Sequence, residues 1–171
     1  MSKNHYELYA PKYYEQSDLP KDLYSEIVPG LWMGGTDDED WVEVGKDLSN
    51  FDHGIDFQAV VTLFAWAHPM PWGIEELRWG FADGHIDLID KERLFRAADW
   101  GYERWQAGDK TLIRCQAGLN RSGLLTALIL MKADYSVEEA ILAIRSKRSS
   151  IALFNNHFID YLISLSPQSD S

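Results

Sequence analysis

One cysteine and one arginine, six positions apart in the stretch TLIRCQAGLNRSGLLTA, have the types and spacing that chemistry on a phosphate requires. A thiolate is a strong nucleophile, and a guanidinium is a planar fork of N–H donors that grips two phosphate oxygens at once. Thr111 to Ile113 reads as a short buried strand, and from Ser122 the apolar residues run on at helical length to about Ala133. Cys115 therefore stands at a strand-to-helix turn. The loop between the two elements, Gln116, Ala117, Gly118, Leu119 and Asn120, offers its backbone N–H groups to an anion, together with the unpaired ones of the first helical turn. The same field favours thiolate over thiol. Ser122, directly after Arg121, is placed to cap the helix and to hydrogen-bond the sulfur when it leaves. A lone cysteine is commonly just a small buried hydrophobe. Here the preceding strand, Gly118, Arg121, Ser122 and the immediate helix together favour phosphate chemistry.

Such a turn needs a sheet and a crossover to hold it, and the chain ahead of it supplies both. Residues 27–35, IVPGLWMGG, read as one strand, with Pro29 pointing to a sheet edge. Thr36 then opens an acidic turn, Asp37-Asp38-Glu39-Asp40, suited to a helix start, with Trp41, Val42, Val44 and Leu48 as its buried side. Residues 59–64, AVVTLF, form a continuous apolar run fit for a central strand covered on both faces, and the AWAHPMPWG after it reads as irregular aromatic surface. Residues 76–81 make a weak strand that ends in the turn Ala82-Asp83-Gly84.

Residues 91–107 place Leu94, Ala97, Ala98, Tyr102 and Trp105 at helical spacing, with Asp90 as N-cap and Gly108 as stop. Strand, helical crossover and parallel strand make a right-handed unit whose carboxyl edge is where such folds hold ligands. Ser136-Val137-Glu138-Glu139 is a capping box. Arg145, Lys147 and Arg148 close that helix, where cations oppose the dipole; a rim for phosphorylated substrates is the functional alternative. Asn155 to Leu165 is a last helix. The expected fold class is α/β, a mostly parallel central sheet flanked by helices on both faces. It spans residues 26–166, after a Tyr-rich N-terminal arm (1–25) and before a short tail (167–171).

Composition narrows the function. A chain of 171 residues is one domain able to bury its own core. Its net charge of −11 argues against general nucleic-acid or anionic-membrane binding, which need a basic face. The single Cys excludes an internal disulfide, no apolar run reaches the length of a membrane span, and residues 1–16 lack the apolar core of a signal peptide. A reducing cytoplasm is the expected compartment. The five His are scattered, and Asp52, His53 and Asp56 fit a turn better than a ligand set, so neither metal nor cofactor is expected.

At Cys115-Gln116-Ala117-Gly118-Leu119-Asn120-Arg121-Ser122 the chain resembles the cysteine-dependent protein tyrosine phosphatases, and within them the small (atypical) dual-specificity phosphatases. Their pattern is Cys, five residues, Arg, then Ser or Thr. Residues 27–35 are similar to the first strand of that fold, and Asn155, Phe158 and Leu162 to its Asn-and-Phe pattern; Arg114 stands where most members carry His. The resemblance implies a metal-free protein phosphatase that forms a cysteinyl-phosphate. It implies phosphotyrosine as substrate, with phosphoserine and phosphothreonine as the wider range. It also implies a general acid, an Asp on a mobile loop some thirty residues before the Cys. Asp83 suits that spacing, Asp87 is the rival, and Asp90 is better explained as a helix cap.

The lipid-phosphate branch carries Lys within the loop and this chain does not, which disfavours phosphoinositides and, more weakly, an RNA 5′-triphosphate. A low-molecular-weight phosphatase is disfavoured too, because no Asp-Pro follows the loop. Two other readings stay open: a phosphate-binding module without useful catalysis, motivated by Arg114, and sulfur transfer through a persulfide, which needs a different fold around the loop.

Overall fold

The computed structural model describes residues 5–36 and 57–167. Five strands, β1 (Tyr24–Val28), β2 (Leu31–Gly34), β3 (Ala59–Thr62), β4 (Glu75–Arg78) and β5 (Thr111–Arg114), form one sheet in the order β1-β2-β5-β3-β4. Among the described residues only β1 and β2 pair antiparallel; every other pairing is parallel. β5 lies at the centre, which is why its residues are buried along its whole length. The helices are α1 (Lys91–Gln106), α2 (Arg121–Lys132), α3 (Val137–Lys147) and α4 (Asn156–Ser164). The fold class is α/β with a mostly parallel sheet.

Residues 27–35 do not make the single strand expected of them. They turn at Pro29-Gly30 into the β1–β2 hairpin, because Pro29 has no N–H to offer a ladder and Gly30 adopts a φ of +84°. The Glu26 carboxylate accepts from Gly30 N at 2.9 Å, and the Trp105 indole donates to Pro29 O at 2.9 Å, pinning the turn to α1. The acidic turn and helix expected after Thr36, and the Asp52, His53 and Asp56 set, lie outside the described residues.

Alternation along the strands sorts their side chains onto two faces. Leu31, Met33, Val61 and Ile113 point to the face on which α1, α2, α3 and α4 pack. Val60 and Leu112 point the other way, onto Phe57 with Trp32, Met70 and Ile74. α2 contributes more buried residues to the main core than any other element: Leu124, Leu125, Ile129 and Leu130 are fully buried, each worth roughly 1.5–3 kcal/mol. α1 starts at the Asp90 cap as expected, α3 at the Ser136–Glu139 capping box, and α4 at Asn155, whose side chain accepts from His157 N.

Residues preceding β1 lie against this body. Leu8 and Leu23 are buried, the Tyr9 hydroxyl donates to the Asp160 carboxylate, and the Ser150 hydroxyl donates to the Asp18 carboxylate. Among the described residues no helix is long and apolar enough to cross a membrane.

Candidate active site

Cys115 leaves the carboxyl end of β5 with its N–H on Gly34 O at 3.2 Å, and α2 begins after a loop of five residues. In the loop between them each carbonyl is taken by a donor. Gln116 O accepts from Thr36 N at 2.9 Å, and Leu119 O from Leu153 N at 3.1 Å. Gly118 O and Ala117 O accept from Arg148, at 3.0 and 3.4 Å, and Asn120 O accepts from Leu124 N at 2.8 Å. The amides of residues 116–120 have no acceptor among the described residues. Peptide planes whose carbonyls face outward turn their N–H groups inward, so the loop is a nest of free donors. Gly118 makes the shape possible. Its φ is +69°, and a Cβ there would lie 2.5 Å from Gly34 C and 2.6 Å from the Arg148 guanidinium.

The sulfur lies recessed under this loop. Cys115 keeps 2 % of its surface, and its Sγ is 3.3 Å from Ser122 Oγ, the contact expected of Ser122. The helix-capping role expected of Ser122 does not materialise: Asn120 is the N-cap residue, without a side-chain cap bond, and Ser122 sits inside the first turn. Arg121 donates through Nη1 to Phe81 O at 3.2 Å, and its Cζ lies 5.4 Å from the centre of the Phe64 ring. Its Nε is buried without a partner. No carboxylate of the described residues pairs with this cation, so its charge is uncompensated beside the donor nest.

Arg114, which stands where most members of the resembled family carry His, points to the opposite face of the sheet from Cys115. The cause is strand alternation, since successive side chains emerge on opposite faces. Its guanidinium donates to Thr62 Oγ1 at 2.9 Å, His68 O at 2.6 Å and Glu76 Oε2 at 3.1 Å. Burial alone would raise the Glu76 carboxyl, but the Thr62 hydroxyl, the Met70 amide and Arg114 outweigh it and hold it below its ordinary range. Arg114 is thus neutralised away from the loop, and it braces the connection that carries Phe64.

Asp83 is exposed on its turn, yet both of its oxygens are held. Oδ2 accepts from Asn120 Nδ2 at 2.8 Å and Oδ1 from Asn155 Nδ2 at 2.8 Å. The rival, Asp87, lies elsewhere: its carboxylate pairs with His85 Nδ1 at 3.3 Å and with Lys91 Nζ at 3.8 Å. Of the two, only Asp83 is tied to the loop that follows Cys115.

Sequence reasoning missed Arg148, read as the end of a helix or a rim. The residue keeps 5 % of its surface and donates to Gly118 O, Ala117 O, Asp22 O at 2.6 Å and Ser25 Oγ at 3.1 Å. Burial lowers its pKa to about 10, partly offset by the Cys115 sulfur and the Asp22 carboxylate, so it is still a cation at neutral pH. Its neighbour Arg145 is spent on Ala152 O and Leu153 O, at 2.9 and 3.2 Å. A signal existed in the spacing: two Arg three apart share a helix side, and here Arg145 reaches the segment before α4 while Arg148 reaches the loop.

Among the described residues no group of three His, Cys, Asp or Glu is gathered to hold a metal ion. No curated protein matches the sequence. Among solved structures the chain is similar to Tk-PTP in its active form, at 25 % identity and a TM-score of 0.66, over 86 % of this chain and 98 % of that one. It is also similar to human DUSP28, at 21 % identity and 0.66, over 84 % and 92 %. A mouse putative dual specificity phosphatase complexed with zinc tungstate gives 18 % and 0.67, over 90 % and 91 %. Residues 46–168 match the family model of the dual specificity phosphatase catalytic domain. With that match across most of its length, and a five-stranded sheet that delivers a Cys-to-Arg loop to its carboxyl edge, the chain belongs to the dual specificity phosphatase family.

Proposed function

We propose that this chain is a metal-independent protein phosphatase that hydrolyses phosphotyrosine, and phosphoserine or phosphothreonine where they reach the sulfur, through a cysteinyl-phosphate. The observation that carries the reading is the loop that follows Cys115: its carbonyls are occupied, and its amides have no acceptor among the described residues. Cys115 attacks phosphorus in line. The amides of Gln116, Ala117, Gly118, Leu119 and Asn120, with Arg121, hold the three equatorial oxygens as charge spreads over them. Sγ–P forms while P–O breaks, and the leaving oxygen takes the proton of Asp83. Asp83, now a carboxylate, removes a proton from water as that water attacks phosphorus. The Ser122 hydroxyl donates to the departing thiolate.

Residues 26–166 are the phosphatase unit in this reading, with residues 1–25 as an arm against it. A free catalytic thiol suits a reducing compartment such as the cytoplasm. Turnover of p-nitrophenyl phosphate in reductant and EDTA is the test. Wild type should turn over, whereas Cys115→Ser should not, while still binding tungstate. Turnover in Cys115→Ser equal to wild type, or none in wild type, overturns the proposal.

A further inference from the structure

The turn after β3 stands beside the Cys115 loop and carries two aromatic side chains that the core does not use. Leu63 N donates to Arg114 O at 2.8 Å, so the chain runs alongside β5 up to the residue before Cys115. Just beyond, Phe64 is half-buried yet joins neither of the two hydrophobic clusters of the sheet. Its ring lies against the Arg121 guanidinium instead, with Cζ 5.4 Å from the ring centre. Trp66 follows and is 83 % exposed. One exposed Trp on a surface is ordinary, but this one stands on a turn that is held from below. Arg78 donates to Ala67 O at 2.7 Å and Arg114 to His68 O at 2.6 Å, while Ala67 N closes the turn on Phe64 O at 3.2 Å. Ala67 is itself buried.

We propose that Phe64 and Trp66 form an aromatic wall of the site that selects aryl over alkyl phosphomonoesters, so that phosphotyrosine is cleaved in preference to phosphoserine. The inference rests on the reading of Cys115 and Arg121 as the phosphate site. Arg121 ties that site to the wall, because its guanidinium meets the Phe64 ring and donates to Phe81 O. Gly80 lets the two segments approach each other, since a Cβ there would lie 2.9 Å from Ala65 Cβ. A phosphate gripped by Arg121 turns its leaving oxygen away from the attacking sulfur, so the first atoms of the substrate side chain emerge beside the 64–66 turn. In phosphotyrosine those atoms are a phenyl ring, which pairs with an aromatic neighbour. In phosphoserine they are one methylene, which has no ring to offer. A turn already fixed by two Arg loses little freedom when the ring arrives.

The test reads kcat/KM on two peptides of one sequence, carrying phosphotyrosine or phosphoserine at the same position, beside inhibition by vanadate, which has no side chain to meet the wall. Wild type should prefer the phosphotyrosine peptide. Phe64→Leu keeps apolar bulk against Arg121 and removes the ring. It should lose about tenfold on phosphotyrosine while phosphoserine and vanadate stay within about twofold, and Phe64→Tyr should hold the wild-type preference. Trp66→Ala should lose about threefold on phosphotyrosine alone. Equal losses on the two peptides, or vanadate weakened as much as phosphotyrosine, would reduce Phe64 to a prop for Arg121 and overturn the inference, as would an unchanged preference in Trp66→Ala. Should Phe64→Leu fail to fold, Trp66→Ala decides alone, because its side chain stands in solvent. Wild type that cleaves neither peptide would overturn the phosphatase reading and the inference with it, a failure seen before any variant is made.

Discussion

Arg114 and Glu76 form a buried ion pair across the carboxyl end of the sheet, Nη2 to Oε2 at 3.1 Å, with side chains only 6 % and 10 % exposed. Thr62, Arg78 and the carbonyls of Ala67 and His68 complete the cluster. Removing one member of a buried pair leaves the other charge unpaired, so Glu76→Gln should cost about 3 kcal/mol at neutral pH. The pH dependence follows from the direction of the Glu76 shift. Its folded value lies below the ordinary 4.5, so its stabilisation is present above that pH and is lost as pH falls through the folded value. Urea melts from pH 7 down to pH 3 should show a steeper acid loss in wild type than in Glu76→Gln.

Arg148 sits behind the loop as Arg121 sits beside it. Arg148→Met removes the donors to Gly118 O and Ala117 O, frees those peptides to rotate, and withdraws a buried cation from behind the loop. Vanadate inhibition should weaken by about tenfold or more, since charged hydrogen bonds of this kind are each worth roughly 1.5–3 kcal/mol. Arg148→Lys should fall between the two, keeping charge but not the fork that spans both carbonyls. Competition with vanadate measured on folded protein, verified by circular dichroism, decides it; an unchanged inhibition constant would show that the loop holds its shape unaided.

Much of this arrangement could be read from residue order. Cys115, Arg121 and Ser122 lie within one local stretch, where backbone geometry fixes what meets what, and α1, α3 and α4 announced themselves through caps and periodicity. The hairpin at Pro29-Gly30 was legible in principle, but an apolar run on both sides of the turn hid it. Contacts over long sequence separation were not readable. Arg114 reaches Glu76 across the intervening β3, Arg148 reaches Gly118 from the next helix, and Asn155 reaches Asp83 from the last one. Which face Arg114 takes follows from strand parity: next to Cys115 in sequence, it lies on the other side of the sheet.

Ser122 is buried in the first turn of α2 with its hydroxyl on the sulfur, a position that matters more for losing the thiolate than for making it attack. Ser122→Ala should therefore slow breakdown of the cysteinyl-phosphate more than its formation. Rapid mixing with p-nitrophenyl phosphate should give a burst of nitrophenolate near one equivalent, followed by a steady rate about tenfold or more below wild type. A variant with no burst and an unchanged steady rate would show that the hydroxyl does no more than fill space.

Gly118 concentrates the demands on the loop into one backbone position. Its left-handed φ of +69° would cost an L-residue about 1–2 kcal/mol, and the missing Cβ leaves room for Gly34 C at 2.5 Å and Gly35 N at 2.6 Å. β2 cannot yield, because Met33 and Gly34 are paired to Ile113 and Arg114 of the central strand. Gly118→Ala should therefore displace the loop rather than the sheet, turning the amides of residues 117–119 out of register with one another. Because the core under α2 is untouched, the melting temperature should drop by only a few degrees while tungstate binding and turnover are both lost. Calorimetric titration of tungstate beside a thermal melt separates the two effects, and a variant that melts early yet binds tungstate as wild type does would show that the nest tolerates another shape.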